Sequence, residues 1–244
     1  MDLGRIAWKP TQLAPLSDED RVDVWRIRLG EFHPQTKNLL ERLAPEEVER
    51  ANRFVFDHDR RDFVAGRAIL RSLLGGYLGV RPAEIVIHGG PRGKPQVLQL
   101  TKNKHVIFNV SHSYGLCIMG FRLTRQLGID VEKLRENVAI HDIAARFLAP
   151  EESRWLGELS SDEQTAGFFS IWTKKEALVK AIGEGLHLPL DRFHVHVTTQ
   201  PFNITGRDGR IWVIRTFTPE CGYLAALATE GSEELRVQYF DYRE

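Results

Sequence analysis

The chain has 244 residues, 42% of them apolar and 27% charged, which excludes a disordered protein and allows a sizeable core in one large domain or two small halves. Thirty-three basic residues offset 33 acidic ones, so no global attraction to nucleic acid or a membrane surface is expected, only local basic pockets. No apolar run approaches the roughly 20 residues that span a bilayer. The opening Met1-Asp2-Leu3-Gly4-Arg5 lacks a signal-type apolar region, and Cys117 and Cys221 lack metal-ligand spacing; a cytoplasmic protein with buried, reduced thiols is expected.

Val22–Leu29 is strand-like, with a slip in its alternation at Val24-Trp25 of the kind a bulge produces. Pro45-Glu46-Glu47 supplies proline and negative charge for a helix start. A second helix is predicted over Arg60–Leu74, ended or loosened by Gly75-Gly76. Short strands follow at Glu84–His88, Gln96–Leu100, His105–Val110 and Gly115–Phe121, then one around Ile129. Helices resume at residues 139–148, at Pro150 and over residues 161–182, the last opening on Ser160 or Ser161 with Glu163-Gln164 placed for a capping box and stopped by Gly183 and Gly185. Strands at Phe193–Thr199, Ile211–Phe217, Gly222–Ala228 and Leu235–Phe240 read as antiparallel neighbours.

An internal repeat underlies this order. Leu43-Ala44-Pro45-Glu46-Glu47 matches Leu148-Ala149-Pro150-Glu151-Glu152 at an offset of 105, which also carries Phe63 onto Phe168. The fold class expected is α+β: a pseudo-dimer of two similar α+β halves, residues 1–122 and 123–244, each a helix-packed antiparallel sheet. A ligand site is then expected in the cleft between them.

Gly128-Ile129-Asp130-Val131-Glu132 reads as a strand, so Asp130 and Glu132 share a face; Glu176 and Lys180, four apart on the long helix, share another. Three carboxylates without histidine or cysteine suit a hard, oxygen-seeking cation such as Mg2+ if strand and helix pack together. Taken separately, the acids read as a solvated face and the Glu176/Lys180 pair as an exposed ion pair. Phe108-Asn109-Val110-Ser111-His112-Ser113 ends a strand with polar groups able to hold a phosphate, or simply forms a capped turn. Arg67 among the basic helix residues, and Arg92 and Lys94 in the loop Gly89–Pro95, are candidate anion contacts.

Gly-Ile-Asp-Val-Glu followed by Trp172-Thr173-Lys174-Lys175-Glu176-Ala177-Leu178-Val179-Lys180 resembles the paired signature of 4'-phosphopantetheinyl transferases. Gly93-Lys94-Pro95, Phe108–Ser113, Gly183-Glu184-Gly185-Leu186 and Pro189-Leu190-Asp191 extend the resemblance over residues 45–200, and the duplicated halves are similar to the larger, surfactin-synthetase-type (Sfp-type) branch. The resemblance implies transfer of the phosphopantetheine arm of coenzyme A to a serine of an apo acyl or peptidyl carrier protein, with release of 3',5'-ADP. It implies Asp130, Glu132 and Glu176 as ligands of Mg2+, with Mn2+ as a substitute, and Asp130 as part of the coenzyme A site. Glu176, or metal-held water, would take the serine proton; Lys180 would neutralise the departing phosphate, and His112 would bind the pyrophosphate. Arg50, Lys94, Ser111 and Lys175 match nucleotide-contact positions. A monomer serving fatty-acid, polyketide, nonribosomal-peptide or lysine-pathway carriers is expected. Competing readings are a non-catalytic module that binds coenzyme A or a carrier protein, and a Mg2+-dependent phosphoester hydrolase. A pure binder has no need of all three carboxylates and Lys180.

Overall fold

The computed structural model describes residues 6–11, 16, 18–90, 93–98, 105–185, 188–195, 197–198, 200–206, 208–231 and 235–243. Strands β1 (Lys9–Pro10) and β2 (Arg21–Arg28) lead through a 3-10 turn into the short helices α1 (Thr36–Leu40) and α2 (Pro45–Ala51) and the long α3 (Asp57–Leu78). A small ribbon, β3 (Ile87–Gly89) and β4 (Pro95–Val97), precedes the hairpin β5 (Val106–Ser113) and β6 (Leu116–Leu123). The second half repeats the succession: β7 (Leu127–Lys133), α4 (Ile140–Phe147), α5 (Pro150–Glu158), the long α6 (Ser161–Ile182), then β8 (Phe202–Thr205) and the hairpin β9 (Ile211–Phe217) and β10 (Tyr223–Glu230). Strand β11 (Arg236–Asp241) comes last.

The duplication is geometric. Strand order β2-β6-β5 in the first sheet mirrors β7-β10-β9 in the second. Helices α3 and α6 each span 22 residues and begin and end 104 residues apart, each stopped by a left-handed glycine, Gly79 (φ 73°) or Gly183 (φ 79°). That offset places Phe63 opposite Gly167, not Phe168. The sheets meet face to face through Val22, Val24, Ile118, Ile129, Val131, Phe217 and Leu227, while α3 and α6 cover the outer faces. The α+β pseudo-dimer is therefore four layered.

Several local expectations give way to tertiary context. No bulge interrupts β2: its register with β6 is continuous from Val22↔Arg122 to Arg28↔Leu116. The slip in alternation reflects burial on both faces, with Val22 and Val24 turned to the other sheet and Trp25 and Ile27 to α3. Helix α3 runs through Gly75-Gly76, because the chain after the helix folds back onto Gly75; a Cβ there would lie 2.7 Å from the Val80 carbonyl. Residues 82–84 form a 3-10 turn, so the strand expected at Glu84–His88 shrinks to β3. Strand β4 is also shorter than expected, and residues 99–100 lie outside the described residues. Ser160 caps α6 without a capping box: its hydroxyl donates to the Glu163 carboxylate at 2.5 Å. Cys117 is buried as expected, but Cys221 is exposed in a turn.

The end of the chain departs furthest from expectation. β11 does not pair with its sequence neighbours but lies parallel to β2, and β1 parallel to β11, so the first sheet is mixed rather than purely antiparallel. Asp241 fixes this exchange, accepting from Arg26 at 2.8 Å and Arg28 at 3.2 Å. Residues from the expected second segment thus complete the first sheet. The expected strand at 193–199 is a loop where described, and His196 and Thr199 lie outside the described residues.

That loop is held by a buried charge. The matched motifs place Glu47 and Glu152 third in their helices, where each carboxylate accepts the backbone N–H of the preceding cap residue, Ala44 (2.9 Å) or Ala149 (2.7 Å). Each then receives a buried cation from the long helix. Arg71 donates to Glu47 at 2.6 Å and to the carbonyls of Pro82 and Ile85; Lys175 donates to Glu152 at 2.8 Å and to those of Leu190 and Phe193. Burial alone would raise the Glu47 pKa, but Arg71, the Ala44 N–H and Arg67 outweigh it and hold the carboxyl below its ordinary range. Breaking such a pair from one side leaves a buried charge uncompensated, which costs about 3–5 kcal/mol. Glu152→Ala should therefore lower the unfolding free energy by about that amount in urea titration, and Lys175→Met in the same chain should restore most of it. A single-variant loss within about 0.5 kcal/mol would show that the pair holds nothing together.

Candidate active site

Glycine 128 brings strand β7 and helix α6 together. A Cβ at this position would fall 2.1 Å from the Ala177 carbonyl oxygen and 2.2 Å from the Ala181 amide nitrogen, so only glycine admits the helix backbone this close. Ala177 and Ala181 are fully buried on the facing side of the helix. From this contact the strand's alternation carries Asp130 and Glu132 toward α6, and the helical repeat places Glu176 and Lys180 on the facing surface. Lys180 Nζ donates to Asp130 Oδ1 at 2.6 Å. The pairing of Glu176 with Lys180 as an exposed surface couple is not what forms.

Strand β5 supplies a third wall. Its alternate residues Asn109, Ser111 and Ser113 accept the β7 amides of Ile129, Val131 and Lys133 at 2.9, 3.3 and 3.2 Å. Ser111 also donates to Asp130 Oδ1 (2.9 Å) and accepts from Lys180 (3.0 Å), and Ser113 donates to Glu132 Oε2 (2.9 Å). With one proton donated and two hydrogen bonds accepted, Ser111 is fully engaged and only 6% exposed. It orients Asp130. Asn109 and Ser113 were not singled out from sequence, although the i, i+2, i+4 spacing of polar side chains in an otherwise apolar strand was the available signal.

The acids are electrostatically unfinished. Burial and then the neighbouring Asp130 carboxylate push Glu176 above its ordinary pKa, with Lys180 offsetting only part. Burial likewise raises Glu132, against the Ser113 hydrogen bond. Asp130 Oδ2 is buried without a hydrogen-bond partner, and Glu176 makes no hydrogen bond among the described residues. Among these residues no three acidic, histidine or cysteine side chains are already gathered closely enough to hold an ion. All-oxygen donors, an orphaned carboxylate oxygen and mutual repulsion nevertheless fit a small divalent cation that draws them in.

The remaining expected contacts scatter. His112 is exposed, and strand alternation turns it to the face opposite Ser111 and Ser113. Lys94 is turned inward, donating to Gln126 Oε1 (2.9 Å) and to the carbonyls of Leu127 and Ala181 (both 3.0 Å); all three protons are taken, and burial pushes its pKa down to about 8. Lys175 is the fully buried partner of Glu152, and Arg67 is paired with Glu47, so neither stands free for a ligand. Exposed Arg50 lies 5.0 Å over the Phe63 ring. Arg92 lies outside the described residues. Beside Glu132 a cleft of about 500 Å³ opens between the halves, lined by Tyr114 and residues 133–137, with Lys133 and Arg135 over the Tyr114 ring.

Residues 126–227 match the family model described as 4'-phosphopantetheinyl transferase superfamily, and residues 31–120 match that of the 4'-phosphopantetheinyl transferase N-terminal region. The chain is 39% identical over 224 residues to the 4'-phosphopantetheinyl transferase HetI of Nostoc sp., covering 91% of this chain and 92% of that one. This chain belongs to the 4'-phosphopantetheinyl transferase superfamily. It is also 31% identical over 163 residues to the 4'-phosphopantetheinyl transferase Sfp of Bacillus subtilis, covering 67% of this chain and 70% of that one. The second-half match spans β7 through most of β10, so it includes both the carboxylate strand and the Glu176/Lys180 helix.

In this family member the fit of β7 against α6 rests on Gly128. Gly128→Ala must push backbone against backbone, and should lower stability by roughly 1–3 kcal/mol in urea titration. Gly120→Ala should cost less, because the nearest atom to its Cβ is the flexible tip of Leu127, 3.1 Å away. Equal costs for the two substitutions would contradict the close-approach account.

Proposed function

We propose that the chain transfers the 4'-phosphopantetheine of coenzyme A to a serine hydroxyl of an apo acyl or peptidyl carrier protein, releasing 3',5'-ADP, in a Mg2+-dependent reaction. The observation that carries this reading is the convergence of Asp130 and Glu132 on β7 with Glu176 and Lys180 on α6, in a chain of this family. Asp130, Glu132 and Glu176 would hold the ion. Bound there, it would neutralise charge on the pyrophosphate oxygens.

The protein's own groups divide the rest. Glu176, without a hydrogen-bond partner among the described residues and raised in pKa, is suited to take the serine proton as the serine oxygen bonds to phosphorus and the bond to the departing 3',5'-ADP breaks. Lys180, held by Asp130 and Ser111, places a positive charge beside the carboxylates for the leaving phosphate. Exposed His112 and Arg50 remain available to phosphates approaching from solvent. The first half, residues 1–122, would supply this nucleotide grip and the second, 123–244, the metal site. Tyr114, Lys133 and Arg135 give the cleft beside Glu132 an aromatic floor with two cations, an environment for the pantetheine arm or the carrier surface. Among the described residues no helix is long and apolar enough to cross a membrane. We take the protein to act as a cytoplasmic monomer.

Incubation with coenzyme A, Mg2+ and an apo carrier protein should add one phosphopantetheine to the carrier by mass spectrometry. No gain across a panel of carriers would sink the proposal. Glu176→Gln should reduce turnover by about 10²–10⁴-fold while the chain still folds. Glu176 and Glu132 have folded-state pKa values above their unfolded ones, so the native state keeps protons that the unfolded chain has released. Stability of the metal-free protein should therefore fall as pH rises above the ordinary glutamate value of 4.5. Added Mg2+ should flatten that fall, and Glu176→Gln should lessen it; melting temperatures unmoved by either would argue against an ion at these carboxylates.

A further inference from the structure

We propose that Ser113 is a positioning residue that presents Glu132 to a divalent cation, an assignment that rests on the metal site proposed above. The two β7 acids are held in the same way. Ser111 accepts the N–H of Val131 and donates to the carboxylate of the preceding residue, Asp130. Two residues further along, Ser113 accepts the N–H of Lys133 and donates to Glu132. Each hydroxyl has its proton directed to the acid because its acceptor capacity is turned to the strand amide. In both cases one carboxylate oxygen is tied and the other left open. Asp130 Oδ2 is buried and unpartnered, and Glu132 Oε1 makes no hydrogen bond among the described residues.

Glutamate has one more rotatable bond than aspartate, so Glu132 has more freedom to lose. The neighbouring cation Arg135 stands 4.0 Å from the same Oε2, too far to fix it. Ser113, 8% exposed, is the close restraint. Hydrogen bonds to a metal-ligating carboxylate tune affinity by orienting it, and their loss typically weakens binding about 10–100-fold.

The test is Mn2+ binding to the full-length protein followed by electron paramagnetic resonance, with transfer activity measured against Mn2+ concentration. Ser113→Ala should weaken Mn2+ binding about tenfold or more and raise the metal concentration needed for half-maximal transfer. Ser113→Thr, which keeps the hydroxyl, should restore both. In a Glu132→Gln background, Ser113→Ala should add no further loss of affinity. Ser113→Cys, a poor donor of similar size, serves the same comparison if the alanine variant does not fold. Unchanged Mn2+ affinity in Ser113→Ala, or an equal loss with and without Glu132, would overturn the assignment. Failure of the wild-type chain to transfer phosphopantetheine while Mn2+ binding still depends on Ser113 would sink the proposed function and support the positioning role.

Discussion

A buried strand edge has to be satisfied, and here the way it is satisfied builds the site. Strand β7 pairs with β10 on one side. Its other edge meets β5, which belongs to the first sheet and answers with side chains instead of a backbone ladder. Leaving three such amides unpaired would cost free energy comparable to as many lost hydrogen bonds. The acceptors chosen matter. Two of them are hydroxyls, each with a proton to give away, and the nearest acceptors are the carboxylates of Asp130 and Glu132. The seam between the two halves and the orientation of the acids are one hydrogen-bond network.

A second clamp works at the end of that seam. Lys94 crosses from the first half to the Gln126 side chain and two backbone carbonyls at the junction of β7 and α6. Its stem passes Gly183, where a Cβ would come within 3.3 Å of Lys94 Cδ. A lysine at a position matched to nucleotide contact by resemblance is thus used to hold the strand and helix that carry the carboxylates. With Gly128 allowing the two backbones to touch, the geometry of Asp130 against Lys180 depends on the protein more than on any ligand.

The parts of this arrangement visible in the sequence are those set by local periodicity. Alternation in Gly128–Glu132 and the four-residue step from Glu176 to Lys180 gave the faces correctly, and the matched Pro-Glu-Glu motifs pointed to the duplication. Two features were hidden because they depend on partners far along the chain. The alternating run at residues 193–197 has strand chemistry, but the carbonyls of Phe193 and Thr198 accept hydrogen bonds from Lys175 and Lys174, and the Val195 amide is taken by Glu152. Likewise nothing local to β11 distinguishes a parallel place beside β2 from an antiparallel one in the nearer sheet. Lys175 and Arg67 were expected as ligand contacts for the same reason: a charge among charges gives no hint that its partner is a helix-capping glutamate.

Duplication also shows how the two long helices differ at matched positions among the described residues. At the offset that superposes the ends of α3 and α6, Arg71 stands where Lys175 does, and both clamp the capping glutamate of their own half. The structural role was kept on both sides. Glu176, however, corresponds to Ser72, whose hydroxyl is returned to the Ala68 carbonyl within its own helix. Lys180 corresponds to Gly76, which has no side chain to offer. At these two positions the first long helix therefore presents neither a base nor a cation, while β5 of that half is used to orient the acids of the other. Glu176 and Lys180 lie on one copy, and the other copy supports the strand that faces them.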